Sequence, residues 1–123
     1  MYPRRERIQE LVKEELGQIL LREMRDPRLG FVTITDVELS GDLRRARVYV
    51  SVMGSAEKQE ESLAVLRGAI GFLRRELGRR LSLRYIPDLT FSLDHTAERA
   101  ARIEALLVAE ARRSSPRNKE PEP

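Results

Sequence analysis

Gly68-Ala69-Ile70-Gly71, followed by FLRRELGRRLSLRY over residues 72–85, is a helical pattern broken in its middle by glycines and loaded with arginine. Two glycines three residues apart are uncommon in a helix, because each costs about 0.5–1 kcal/mol relative to alanine. Either another backbone packs closely there, or the helix bends there to meet a ligand. An apolar stripe of Leu63, Leu66, Ile70, Leu73, Leu77 and Leu81 runs through the break at helical spacing. The stripe with its break predicts two helices divided at Gly68–Gly71. Gly71, Arg75, Gly78 and Arg79 fall off the stripe.

Upstream, Ile8, Leu11, Val12, Leu16, Ile19 and Leu20 mark an amphipathic helix over residues 4–24. Asp26-Pro27 ends it, since the residue before proline avoids the helical region. FVTITDVEL, residues 31–39, is rich in β-branched residues, and Ser40-Gly41-Asp42 is turn chemistry. Ala46, Val48, Val50 and Val52 then alternate with Arg45, Arg47, Tyr49 and Ser51. These two strands are expected to form an antiparallel hairpin with one polar face. Ser55 is placed to cap the next helix.

Downstream, residues 82–93 return to strand, with Leu89, Phe91 and Leu93 alternating inward. Pro87 lacks an amide donor, which puts that strand at a sheet edge. Asp94 or Thr96 then caps a last helix to about Arg113, with Ile103, Leu106 and Leu107 inward. Residues 114–123, SSPRNKEPEP, hold no apolar side chain and are expected to be disordered. The order is α-β-β-α-kink-α-β-α. The long crossover between the second and third strands leaves room for helices on one sheet face. The fold class is therefore α+β: a three-stranded sheet, helices on one side, Arg45, Arg47 and Tyr49 on the other. Residues 1–93 form the domain, 94–113 a helical extension and 114–123 a tail.

Composition removes several functions. The chain has 123 residues and no cysteine, which excludes disulfides and thiolate chemistry. No apolar run has the length of a signal peptide or membrane span, so a cytoplasmic protein is expected. The single histidine, His95, stands beside Asp94 at a strand-to-helix junction, where a capping pair is the ordinary role. No nucleophile elbow, phosphate-binding loop, dinucleotide fingerprint or metal-ligand spacing occurs. The expectation is a protein with no catalytic activity, no cofactor and no metal.

The basic residues point elsewhere. Twenty of the 23 are arginine, whose planar fork suits phosphate, though a GC-rich genome would give the same bias. Arg67, Arg74, Arg75, Arg79, Arg80 and Arg84 share their segment with one acid, Glu76. A solvated helix face is the plain alternative, but the scarcity of local acids favours contact with a polyanion. The break occupies the position of the Gly-x-x-Gly loop with which KH domains clamp a nucleic-acid backbone. Tyr2, Tyr49 and Tyr85 are too few for a stacking platform and are assigned to packing.

Taken together, several stretches resemble the bacterial ribosome-binding factor A family. They are RRERIQELVKEELGQIL from Arg4, Asp26-Pro27-Arg28, FVTITDVE from Phe31, Asp42-Leu43, ARVYVS from Ala46 and LRYIPDLTF from Leu83. The resemblance covers residues 3–93 and implies a type II KH-like domain. It also implies binding to the small (30S) ribosomal subunit and its 16S rRNA in late maturation, and support of growth in the cold. That family carries an Ala-x-Gly kink in place of Gly-x-x-Gly, which maps here onto Ala69-Ile70-Gly71. Because Ala69 and Ile70 are apolar, the segment Gly68, Ala69, Ile70, Gly71 is read as a structural kink that aims the arginines. The expected RNA-binding set is Arg67, Ala69, Gly71, Arg74, Arg75, Arg79, Arg80 and Arg84, in a chain that is monomeric when free. The alternative is a protein–protein docking module with a solubilising arginine face.

Overall fold

In a computed structural model, residues 4–96 and 104–111 are described. The elements are α1 (Arg4–Arg22), β1 (Val32–Leu39), β2 (Arg45–Val52), α2 (Ala56–Gly68), α3 (Ile70–Arg80) and β3 (Asp88–Leu93). The sheet order is β1-β2-β3, with β1 antiparallel and β3 parallel to the central β2. A parallel return needs a crossover, and α2 with α3 supplies it. The expected α+β class and topology are those observed.

The core follows from the two periods in the sequence. Ile34, Val37 and Leu39 of β1, alternate residues of β2, and Leu89 and Phe91 of β3 are buried on one sheet face. Ile8, Val12, Leu16, Ile19, Leu63, Leu66, Leu73 and Leu77 cover them from the helices. The opposite face carries exposed Arg45, Arg47 and Glu38, with Tyr49 half-buried. Glu38 and Arg47 are register partners there, and opposite charges placed directly across strands support the pairing. The Arg47 guanidinium also bonds the Tyr49 side chain, which with the charge of Glu38 raises its pKa.

Two local devices shape the sheet. A register shift between Ile34 and Asp36 leaves Thr35 as a bulge in β1. The Thr35 hydroxyl donates to Asp94 Oδ2 at 2.6 Å, tying β1 to the end of β3. Between β1 and β2, Leu43 takes φ 63°, a left-handed conformation in which a non-glycine residue is strained.

Four expectations are corrected. Leu11 is exposed, because it lies at the margin of the α1 stripe. The strand expected from residue 82 begins only at Asp88, whose amide is the first that can join the ladder after Pro87. Phe31 lies outside β1 and is 82% exposed. Leu106 and Leu107 of the helical segment 104–111 are 63% and 65% exposed rather than inward. Three helices already cover the one apolar face of the sheet, which leaves that segment no core to join. Ile103 and the tail 114–123 lie outside the described residues. No helix among the described residues is long and apolar enough to cross a membrane.

Candidate nucleic-acid interface

The helix break is one residue wide. Ala69, with φ −101° and ψ 7°, is both the last cap of α2 and the first of α3. Its amide donates to Leu66 O at 3.0 Å, and its carbonyl accepts from Leu73 N at 2.9 Å. Hydrogen bonding therefore passes through the bend with little loss. Leu66 and Leu73 are fully buried on either side, so the apolar stripe anchors both helices while the axis turns. α2 begins with Ser55 accepting from Lys58 N at 3.2 Å, whereas α3 begins with no side-chain cap.

The glycines are not explained by packing. A Cβ at Gly68 would meet nothing within 4 Å. At Gly71 it would meet only the Arg75 Nη1 atom, at an ordinary 3.6 Å. Neither has positive φ. Both are exposed, so what they contribute is backbone open to approach. The glycine of α3 that lies against a neighbour is Gly78, whose Cβ position is 3.5 Å from the Ile86 side chain.

The six arginines divide into two groups, and the expected scarcity of acid partners does not hold in three dimensions. Arg67 Nη2 donates to Phe91 O at 3.2 Å on the edge strand β3. Arg74 donates from Nε to Pro87 O at 3.1 Å and from Nη2 to Ile86 O at 2.9 Å, and lies 3.5 Å from Asp88. Arg80 lies between Glu15 of α1, Glu23 in the turn just after it and Glu76 of its own helix, at 3.5, 3.8 and 3.6 Å. Glu15, Glu23 and Asp88 all lie outside the arginine-rich segment, which is why the segment alone looked unbalanced. Arg79 bonds Glu76 at 2.9 Å but is 77% exposed. Arg75 and Arg84 are exposed and form no ion pair among the described residues.

Gly71 thus stands beside Arg75 on the exposed side of α3, with Arg79 one turn on. Ala69, expected on the same surface, is instead half-buried against the core, because it sits on the apolar stripe side of the bend. Arg67, Arg74 and Arg80 are held by the protein itself. Asp94 caps the junction as expected: its Oδ1 accepts from Thr96 N at 2.9 Å. The Thr35 hydroxyl, then Thr96, hold the Asp94 carboxyl down at about 2. No group of three or more His, Cys, Asp or Glu among the described residues could hold a metal.

A family model described as ribosome-binding factor A matches residues 4–107. The chain belongs to the ribosome-binding factor A family. The match passes residue 93, where the resemblance visible in the sequence stopped, and takes in part of the segment after β3. Ribosome-binding factor A of Natranaerobius thermophilus is 48% identical over 104 residues, 85% of this chain and 79% of that protein. The crystal structure of ribosome-binding factor A from Thermus thermophilus superposes with a TM-score of 0.66 at 29% identity. It covers 72% of this chain and 93% of that one. A Thermus thermophilus ribosome-binding factor A model fitted into the cryo-EM map of a 30S complex gives a TM-score of 0.59 at 30% identity. It covers 70% of this chain and 90% of that one. The fold of ribosome-binding factor A is KH-like, and the α-β-β-α-kink-α-β order described above is its type II arrangement.

Sequence reasoning missed one neighbour of the site. Arg44, at the end of the β1–β2 connection, lies over the Tyr85 ring at 4.0 Å. The two are far apart in the chain, and only the β2–β3 register, Arg45 opposite Asp88, brings them together.

Proposed function

We propose that this chain is a non-catalytic ribosome-assembly factor. It binds the immature small ribosomal subunit and its 16S rRNA transiently and assists late maturation. The observation that carries this reading is family membership, joined to a 30S complex containing a relative of the same fold. The local chemistry supports it. Arg75, Arg79 and Arg84 present guanidinium forks to solvent, and the open backbone at Gly68 and Gly71 lets a sugar-phosphate chain approach. Arg67, Arg74 and Arg80 serve the same surface indirectly, by fixing α2 to β3, α3 to the β3 connection and α3 to α1. With few aromatics, recognition rests on rRNA shape and phosphate position rather than on base edges. The factor holds one rRNA conformation and then leaves.

Affinity for isolated small subunits, measured across a salt series, tests the reading. Log affinity should fall linearly with log salt, by about 0.7–0.9 per phosphate contact. Replacing Arg75 and Arg79 together by Glu should weaken binding at least tenfold in a protein that still folds. Affinity that is flat with salt, or unchanged in the double variant, would sink it.

A docking-module reading has one observation of its own, the exposed apolar side chains Leu106, Leu107 and Val108. Salt-insensitive subunit binding that Leu107→Asp abolishes would select it instead.

A further inference from the structure

Three arginines from distant parts of the chain meet around one tyrosine. Arg4 opens α1, Arg44 immediately precedes β2, and Arg84 lies in the connection from α3 to β3. Arg4, Arg84 and Tyr85 line a cavity of 180 Å³ whose apolar wall includes Leu43, Leu83 and Pro87. The Arg44 guanidinium stacks over the Tyr85 ring at 4.0 Å, and that of Arg84 lies 5.5 Å from it. None of the three arginines forms an ion pair among the described residues. The one acid on the cavity, Asp42, is engaged by the Ser40 hydroxyl at 2.6 Å and the Arg44 amide at 3.1 Å. Two cations line the cavity against one anion, and Arg44 adds a third beside Tyr85, which leaves a local excess of positive charge.

The platform is held in place from behind. Arg74 bonds the carbonyls of Ile86 and Pro87, and Ile86 packs on Gly78, so the backbone that follows Tyr85 is clamped to α3. Tyr85 itself is 43% exposed. The cavity is smaller than the roughly 300–1,000 Å³ of sites for cofactors and drug-sized ligands. A guanidinium–aromatic stack beside unpaired arginines is suited to a planar group carrying a phosphate. Bases stack on aromatic rings and guanidinium planes in a way that tolerates any sequence, while neighbouring cations hold the backbone.

We infer that this surface takes one unpaired nucleotide of single-stranded RNA, its base stacked outside the cavity on the Arg44–Tyr85 pair and its phosphate in the cavity between Arg4 and Arg84. The inference rests on the rRNA-binding reading and adds to it a second contact point, away from the kink, that holds an unstacked base whatever its identity.

The test uses the full chain and two labelled probes, a hexauridylate and an abasic ribose-phosphate oligomer of the same length, followed by fluorescence anisotropy. The wild-type protein should bind the base-bearing probe more tightly. Tyr85→Leu should lose about tenfold on that probe and nothing on the abasic one. Tyr85→Phe, which keeps the ring, should stay within about twofold of wild type for the same reason. Arg4→Gln and Arg84→Gln should weaken both probes and lower the salt slope by about one phosphate each. The inference is overturned if the wild type shows no preference for the base-bearing probe, or if Tyr85→Leu affects both probes equally or neither. Displacement of the RNA by poly-glutamate of equal charge would overturn it too, since the site would then be a general anion surface. Small-subunit binding run in parallel separates the two levels. Steep salt dependence that Tyr85→Leu does not alter removes the cavity and keeps the rRNA reading, whereas salt-flat subunit binding removes the rRNA reading itself.

Discussion

Arg74 and Arg75 are adjacent in the chain and opposite in use. A helix turns about 100° per residue, so one side chain faces the β3 connection and the other faces solvent. Arg74 ends on two backbone carbonyls and near Asp88. Arg75 is exposed with no ion pair among the described residues. The same division runs through the whole segment, with Arg67 and Arg80 on the inner side and Arg79 and Arg84 on the outer. Arginine thus has two roles in α3 and its flanks. On one side it satisfies carbonyls and carboxylates that would otherwise lack strong partners. On the other it leaves charge available to an anion.

The largest effect expected from this division is on stability. Arg74→Ala removes two charge-assisted hydrogen bonds and the packing of the side-chain stem, and should destabilise the fold by about 1–2 kcal/mol in urea or guanidinium unfolding. Partial exposure of the guanidinium keeps the figure in that range. Arg75→Ala should stay within about 0.5 kcal/mol of wild type, as surface changes do. Equal stability losses in the two variants would erase the distinction between inner and outer arginines.

Arg80→Gln should come next, at about 1 kcal/mol. Its guanidinium serves three carboxylates, on α1, in the turn after it and on α3, and a network outperforms an isolated surface pair. The loss should shrink at high salt, because the interaction is screened. A loss that is the same in low and high salt would mean the side chain acts through its stem rather than its charge.

The inner group is also where the sequence was least legible. Periodicity placed α1, the β1–β2 hairpin and the two helices, because burial on one face imposes periods of 3.6 and 2, and the missing amide of Pro87 put β3 at an edge. The glycines at 68 and 71 placed the bend, and Leu66 and Leu73 keep the stripe on both sides of it. What periodicity could not give was the partner of each arginine. Glu15 and Glu23 reach Arg80 only because α1 packs beside α3, and the carbonyls that hold Arg74 carry no sequence signature. The Tyr85 site was hidden for the same reason, as it is assembled from α1, the hairpin connection and the α3–β3 connection. Leu106 and Leu107 show the converse limit. Their spacing is helical and the segment is helical, but spacing does not guarantee a surface to cover.

The smallest effect is the most diagnostic of the outer side. Gly68 and Gly71 have room for a methyl group and no positive φ. Gly68→Ala and Gly71→Ala should therefore each stabilise the fold by about 0.4–1 kcal/mol, mainly by restricting the unfolded chain. A glycine retained where alanine would be more stable calls for a reason outside the folded monomer. If that reason is close approach of an RNA backbone, Gly71→Ala should weaken small-subunit binding while raising the melting temperature. The two readouts move in opposite directions, which a purely structural role cannot produce. A variant that loses both stability and binding would instead mark the kink as strained in a way its ordinary dihedral angles do not show. A variant that gains stability and keeps its affinity would confine the interface to the arginines that the kink turns outward.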